Sequence, residues 1–266
     1  MQRDFAIGHG TGNDFVILPD DTWDPTPSTV RALCDRRTGI GGDGILRVVR
    51  LDGEWFMDYR NADGSLAEMC GNGARVFARY LLESGLEERT SGEFLTRAGQ
   101  VAYRVLPDGA IAVTMSAPVI GTHVIVRVGD REWAGDAVFA PNPHAVVEVS
   151  DLADAGDLLG APGIPPDVFP EGANIEFVRV DAPGRVSMRV FERGVGETMS
   201  CGTGAVAVAA AHAAEYGIAL SEGVLVEVPG GLLTVRALGA ESVALEGPAV
   251  LVAHGQLAAD WIDANP

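Results

Sequence analysis

The feature that most restricts this chain is a repeated pentapeptide. Cys70-Gly71-Asn72-Gly73-Ala74 and Cys201-Gly202-Thr203-Gly204-Ala205 share the pattern Cys-Gly-x-Gly-Ala at an offset of 131 residues. Each opens a run of helix-forming residues, 75–82 in the first case and an Ala/Val run over 205–214 in the second. Each run stops near a glycine, Gly85 or Gly217, as helices commonly do. Other landmarks keep the same order and almost the same spacing. Asn61 lies over Glu192 at 131, residues 41–46 over 171–176 at 130, and Asn13 over Asn142 at 129. In a chain with 34 glycines one such match could be accidental, but an ordered set implies an internal duplication.

Strand-like stretches surround each helix, at 15–18, 45–49, 55–59 and 101–105, and again at 145–149, 175–180, 186–191 and 224–228. The second helix is apolar all round, which places it in the centre of a domain. The expected fold is therefore α/β (α+β): two halves related by a pseudo-two-fold axis, each a mixed, largely antiparallel β-sheet or barrel wrapped around a central helix. The active site is expected in the cleft between them. We place the N-terminal half at 1–117, the C-terminal half at 118–250, and a C-terminal segment at 251–266 that could complete the first half. Residues 151–170, rich in Pro, Gly and Asp, read as a short acidic helix and loop.

Composition removes several function classes. A net charge of −18 argues against nucleic acid or an anionic membrane as partner. The N-terminus has no secretory signal, and no apolar run nears the roughly 20 residues that span a bilayer, so a cytoplasmic enzyme is expected. Three widely spaced cysteines, Cys34, Cys70 and Cys201, do not form a disulfide framework. No Cys-x-x-Cys or His-x-x-x-His pair suggests a metal site, and none is expected. All 19 basic residues are arginine. Without lysine there can be no pyridoxal-phosphate Schiff base and no Walker-type phosphate loop, so no cofactor is expected.

The two cysteines carry the chemistry. At a helix start a thiol meets unpaired backbone N–H groups and the positive end of the macrodipole, both of which favour thiolate. The glycines that follow let N–H groups approach an anion closely. Inverting a stereocentre by proton transfer needs a base on one face and an acid on the other, as thiolate and thiol are. Carbanion charge would build on an adjacent carboxylate, where backbone donors stabilise the transition state. The expected activity is thus cofactor-free racemisation or epimerisation of an amino acid by Cys70 and Cys201.

At these residues the chain resembles the diaminopimelate epimerase family. The matching stretches are Gly10-Thr11-Gly12-Asn13-Asp14-Phe15, Asn61-Ala62-Asp63-Gly64-Ser65, Met69 to Arg75, Asn142-Pro143-His144, Ala173-Asn174, and Phe191 to Thr198 leading into Ser200 to Gly204. The resemblance implies interconversion of LL- and meso-diaminopimelate in bacterial lysine and peptidoglycan-precursor synthesis. It gives Cys70 and Cys201 the acid/base roles and assigns the reacting α-carboxylate to N–H groups around Gly71-Asn72 and Gly202-Thr203. Asn13, Asn61, Asn142, Asn174, Glu192 and Arg193 would complete the pocket, with Arg193 on the distal carboxylate and His144 and Glu192 tuning the thiols. As partners it implies the small-molecule substrate and admits a homodimer. One position departs from the pattern: Gly44 stands where many relatives carry a substrate-contacting glutamine.

Cys34 is expected to be a small buried helix residue, and His123, His212 and His254 structural. Three other readings remain open at this point. A proline or hydroxyproline racemase shares the two-cysteine logic, a thiol hydrolase could use Cys70 with His144, and a non-catalytic binder could use the helix starts as an anion clamp. Facing low-pKa thiols would also be open to oxidation to a Cys70–Cys201 disulfide.

Overall fold

The computed structural model describes residues 2–265. In chain order it begins with β1 (Arg3–Gly10), β2 (Asn13–Leu18), α1 (Pro27–Cys34), β3 (Gly44–Leu51), β4 (Glu54–Asn61) and α2 (Gly71–Glu83). There follow β5 (Ser91–Thr96), β6 (Gly99–Val105), β7 (Ile111–Ser116), β8 (Val119–Val128), β9 (Arg131–Phe139) and β10 (Pro143–Glu148). After a 3-10 turn at Leu152–Ala155 come β11 (Asn174–Ala182), β12 (Arg185–Glu192), β13 (Gly196–Thr198) and α3 (Gly202–Glu215). The chain closes with β14 (Val224–Val228), β15 (Gly231–Ala237), β16 (Ser242–Gly247), β17 (Val250–Leu257) and α4 (Ala259–Ala264).

These elements form two compact units, one running to Val113 and resuming at Pro248, the other Thr114–Gly247. The division falls a few residues before the expected 117 and 250. Ile111, Ala112 and Val113 are the residues of β7 that pair with β6, and the Pro248 carbonyl already accepts a bond from Arg75 Nε. The segment after Pro248 belongs wholly to the first unit, where β17 lies antiparallel on β1 from Arg3↔Leu257 to His9↔Val250.

Within the first unit the strands run β17-β1-β2-β3-β4-β5-β6-β7, parallel at β2–β3 and β4–β5 and antiparallel elsewhere. The second unit runs β8-β9-β10-β11-β12-β14-β15-β16, parallel at β10–β11 and β12–β14 and antiparallel elsewhere. The orders match strand for strand, so the duplication read from the pentapeptides extends through both sheets. A sheet flat enough to lie on one side of a helix could not reach it from so many strands. Yet α2 touches β1, β2, β3, β4, β6 and β17, and α3 touches β9, β10, β11, β14, β15 and β16. Each sheet curls around its helix.

That arrangement explains the sequence locally. Phe15, Val16, Ile17 and Leu18 are all buried because β2 has α2 on one face and α1 on the other. Such a strand reads as a continuous apolar run rather than an alternation. Val16, Leu18 and Ile45 join Val30, Leu33, Cys34 and Leu257 in a layer that Trp261 and Ile262 of the last helix partly cover. In the second unit Ile175 and Phe177 enter the core with Val126, Val147 and Phe169. Both central helices stop at glycines in left-handed conformation, Gly85 (φ 70°) and Gly217 (φ 64°).

Candidate active site

Cys70 and Cys201 are the N-cap residues of α2 and α3, with extended backbone angles and side chains that accept the cap hydrogen bond. Gly73 N–H reaches Cys70 Sγ at 3.5 Å, and Gly204 N–H reaches Cys201 Sγ at 3.4 Å. The sulfurs thus occupy the place that a serine or aspartate oxygen fills at an ordinary helix start.

Around Cys70 the first unit assembles amides and one cation. A two-residue turn, Thr11 (φ 50°) and Gly12 (φ 82°), joins β1 to β2, both residues in the left-handed region as a tight hairpin requires. It sets Asn13 at the start of β2 with Oδ1 3.6 Å from Cys70 Sγ and 3.3 Å from Asn72 Nδ2. Asn13 Nδ2 donates to Asp43 Oδ2 at 2.7 Å. Arg75 is completely buried and bonds neutral acceptors: Asn72 Oδ1 at 2.9 Å, the Gly71 carbonyl at 3.2 Å and Thr11 Oγ1 at 3.4 Å. Burial lowers its guanidinium to about 10, with Cys70 pulling the other way, so it stays charged at neutral pH. Asn61, at the end of β4, donates Nδ2 to Ser65 Oγ at 3.0 Å.

The second unit surrounds Cys201 differently. Asn174 Nδ2 points at Cys201 Sγ from 3.7 Å, while Asn174 Oδ1 accepts the Arg193 backbone N–H at 3.0 Å. Thr203 Oγ1 lies 3.4 Å from the sulfur. His144 is wholly buried, with Nδ1 2.7 Å from Glu176 Oε1 and Nε2 3.1 Å from Asn142 Oδ1. Glu192 accepts Thr198 Oγ1 at 2.6 Å, and the Arg193 guanidinium reaches the Glu171 carbonyl at 2.8 Å.

Strand register shows which positions correspond. Phe15 pairs with Gly44 and His144 with Asn174, while Gly44 pairs with Asn61 on β4. Phe15, Leu46 and Asn61 therefore take in the first unit the places that His144, Glu176 and Glu192 take in the second. The helix glycines register the same difference. A Cβ on Gly73 would meet Leu46 and Phe15 at 3.4 Å, whereas one on Gly204 would fall 2.6 Å from Glu176 Oε1.

One expectation is overturned. A helix start should lower a thiol's pKa, but Cys201 is pushed well above the usual value by burial and then by the Glu192 and Glu176 carboxylates. The Thr203 hydroxyl and Gly204 N–H oppose this without matching it. Gly44 is likewise explained by space, since a Cβ there would sit 2.5 Å from the Arg60 carbonyl oxygen. Cys34 lies buried on α1 with its thiol raised to about 12, first by burial and then by Asp43 and Asp14. Glu176, Arg75 and Asp43 were not singled out from the sequence. For Glu176 a signal existed: an acid inside the apolar run Ile175-Glu176-Phe177-Val178. Among the described residues no cluster of His, Cys, Asp and Glu could hold a metal, and no helix is long and apolar enough to cross a membrane.

Comparison with known proteins bears on this arrangement. The sequence profile of the diaminopimelate epimerase family matches residues 5–121 and 137–252. A diaminopimelate epimerase from Streptomyces coelicolor is 46% identical over 97% of this chain and 96% of its own length. Among solved structures, a phenazine biosynthesis protein of the PhzF family from Bacillus anthracis superposes with a TM-score of 0.69 at 17% identity, covering 97% of this chain and 99% of that one. A hydroxyproline epimerase from Agrobacterium vitis gives 0.68 at 17% identity over 97% and 93%. At such identities these two structures establish the fold alone.

Proposed function

Because this chain belongs to the diaminopimelate epimerase family, we propose that it interconverts LL- and meso-2,6-diaminopimelate by passing the α-proton between Cys70 and Cys201. The observation that carries the reading is the matched pair of caps: each unit sets a cysteine sulfur at the first turn of its central helix, within reach of that helix's own N–H groups.

In the forward direction one sulfur, as thiolate, removes the α-proton and becomes a thiol. The other, as thiol, delivers its proton to the opposite face and becomes a thiolate. No electrons leave the pair, so the reverse reaction begins from the inverted charge state. The difficult species is the carbanion, whose charge spreads onto the α-carboxylate. N–H groups at Gly71-Asn72 and Gly202-Thr203 supply preorganised donors there, a type of contact worth about 3 kcal/mol each when removed.

A raised pKa at Cys201 suits an acid, and an ammonium group arriving near Glu192 would offset part of the repulsion that holds its proton. The Arg193 fork, anchored through Nη1 to a loop carbonyl, keeps further donors for a distal carboxylate. A second charged end is what separates diaminopimelate from proline.

The test is solvent exchange. In heavy water, with the α-proton followed by NMR, the enzyme should exchange and epimerise LL-diaminopimelate but leave L-proline untouched. Cys70→Ala and Cys201→Ala should each abolish exchange. Exchange retained in either variant defeats the two-thiol mechanism. A wild type that exchanges only proline, or nothing, defeats the substrate assignment or the enzymatic reading.

A further inference from the structure

Asp43 lies exposed on the turn before β3 and has no role in the reaction above. Its Oδ1 pairs with Arg36 at 2.8 Å, and Arg36 also grips Asp14 with both terminal nitrogens at 2.8 and 2.7 Å. The other oxygen accepts Asn13 Nδ2. A carboxylate can only accept, so the nitrogen end of Asn13 is committed to Asp43. The oxygen end must then face Cys70 Sγ and Asn72 Nδ2. Turning the amide over would set two oxygens against each other. Asn72 is held the same way, because its own Oδ1 is committed to Arg75. The row Arg75, Asn72, Asn13, Asp43 therefore runs from cation to anion with every donor pointing one way. Cys70 rests on the one oxygen in its middle.

The second unit holds its amide in the opposite sense. Asn174 Oδ1 is committed to the Arg193 N–H, so Nδ2 faces Cys201. Beyond the cap N–H that each receives, one sulfur meets an amide oxygen and the other an amide N–H.

We propose that Asp43 is a positioning residue for Cys70: through Asn13 it presents an oxygen to the sulfur, favours the protonated thiol, and readies Cys70 as the proton donor in the direction in which Cys201 is the base. The inference rests on the reading of Cys70 as one of the two acid/base groups. Among the described residues of the unit, the charged and titratable groups at this corner include Arg75 from α2, His9 from β1, Asp14 from β2, Cys34 at the end of α1, and Arg36 and Asp43 beyond it. Arg75 favours thiolate, and the Asp43–Asn13 contact works against it.

The experiment is the pH dependence of iodoacetamide alkylation at Cys70 in the full chain, read by peptide mass spectrometry. Asp43→Asn frees Asn13 to rotate, so the Cys70 midpoint should fall by about one pH unit, or roughly tenfold faster labelling at a fixed pH below it. Asp14→Asn removes a neighbouring charge and leaves the Asn13 amide alone, so its shift should be much smaller. Asn13→Ala deletes the acceptor while Asp43 keeps its charge. It should also lower the midpoint, and it becomes the deciding variant should Asp43→Asn fold poorly by circular dichroism. An unchanged or higher midpoint in both Asp43→Asn and Asn13→Ala overturns the proposal, as does an equal shift in Asp14→Asn. Labelling needs no substrate, so absent diaminopimelate turnover alongside the predicted shifts would sink the functional reading and leave this one standing.

Discussion

His144 Nδ1 lies 2.7 Å from Glu176 Oε1, and neither side chain has any exposed surface. The pair sits beside the first turn of α3, where Glu176 helps to hold the Cys201 proton. Replacing Glu176 by glutamine keeps the shape and removes the charge. The Cys201 thiol should then ionise at lower pH and react several-fold faster with iodoacetamide at pH 8. Glu192→Gln should do more, because Glu192 is the stronger of the two carboxylate influences. Unchanged labelling in both variants would contradict this account of Cys201.

Gly204→Ala tests the closeness of that packing. The added methyl would fall 2.6 Å from Glu176 Oε1, and overpacking of this kind costs about 1–3 kcal/mol. Calorimetry should show a clear drop in Tm. The same change at Gly73, where the nearest atoms are at 3.4 Å, should cost less. Equal losses at both positions would mean that the Glu176 contact is not the cause.

Acid should weaken the first unit through Asp58. Burial opposes ionisation of this residue, but hydrogen bonds from Arg60, Arg97 and Arg47 outweigh it and hold the carboxyl down to about 2. Its folded pKa lies below the ordinary 3.8, so the stabilisation is complete above that value and disappears as pH falls through about 2. The shift corresponds to about 2 kcal/mol. Asp58→Asn leaves Arg47 and Arg60, each 7% exposed, short of a counter-charge, at a cost of about 3 kcal/mol at neutral pH. Denaturant titrations should show the gap between the two proteins narrowing from pH 5 to pH 2. A constant gap would place the acid sensitivity elsewhere.

Arg193→Met should separate binding from chemistry. A charged hydrogen bond of the type proposed for the distal carboxylate is worth about 1.5–3 kcal/mol. Steady-state kinetics should show kcat/KM for LL-diaminopimelate falling roughly ten- to hundredfold by that measure, chiefly through KM. A fall confined to kcat would move Arg193 to the reacting centre.

The duplication, both central helices and the Cys-Gly-x-Gly caps were legible because glycine and cysteine at fixed spacing leave few local structures open. The 3-10 turn at Leu152–Ala155 also falls where the acidic stretch was read. Less legible was everything decided across the sheet. Arg75 lies in the matched stretch from Met69, but nothing in the sequence marks it as buried against the Thr11 turn and the Pro248 carbonyl. Asp43 acts on Cys70 at second hand, through an amide 30 residues away in sequence. The low-pKa expectation for Cys201 followed from its cap position and failed because the folded sheet buries the thiol and brings Glu192 and Glu176 to it from neighbouring strands. Strand β8 escaped notice because much of it is exposed, with Val124 and Val126 its buried hydrophobics.

The pairing of β17 with β1 has a consequence for synthesis on the ribosome. The stretch from Thr114 to Gly247 is continuous, so the contacts within it become available as soon as it emerges. The unit that carries Cys70 must wait with β1 open along one edge until residues more than 240 positions later come through the exit tunnel. Such an edge is a template for wrong partners. During that interval the half translated first is the half finished last, with one strand edge open to mispairing.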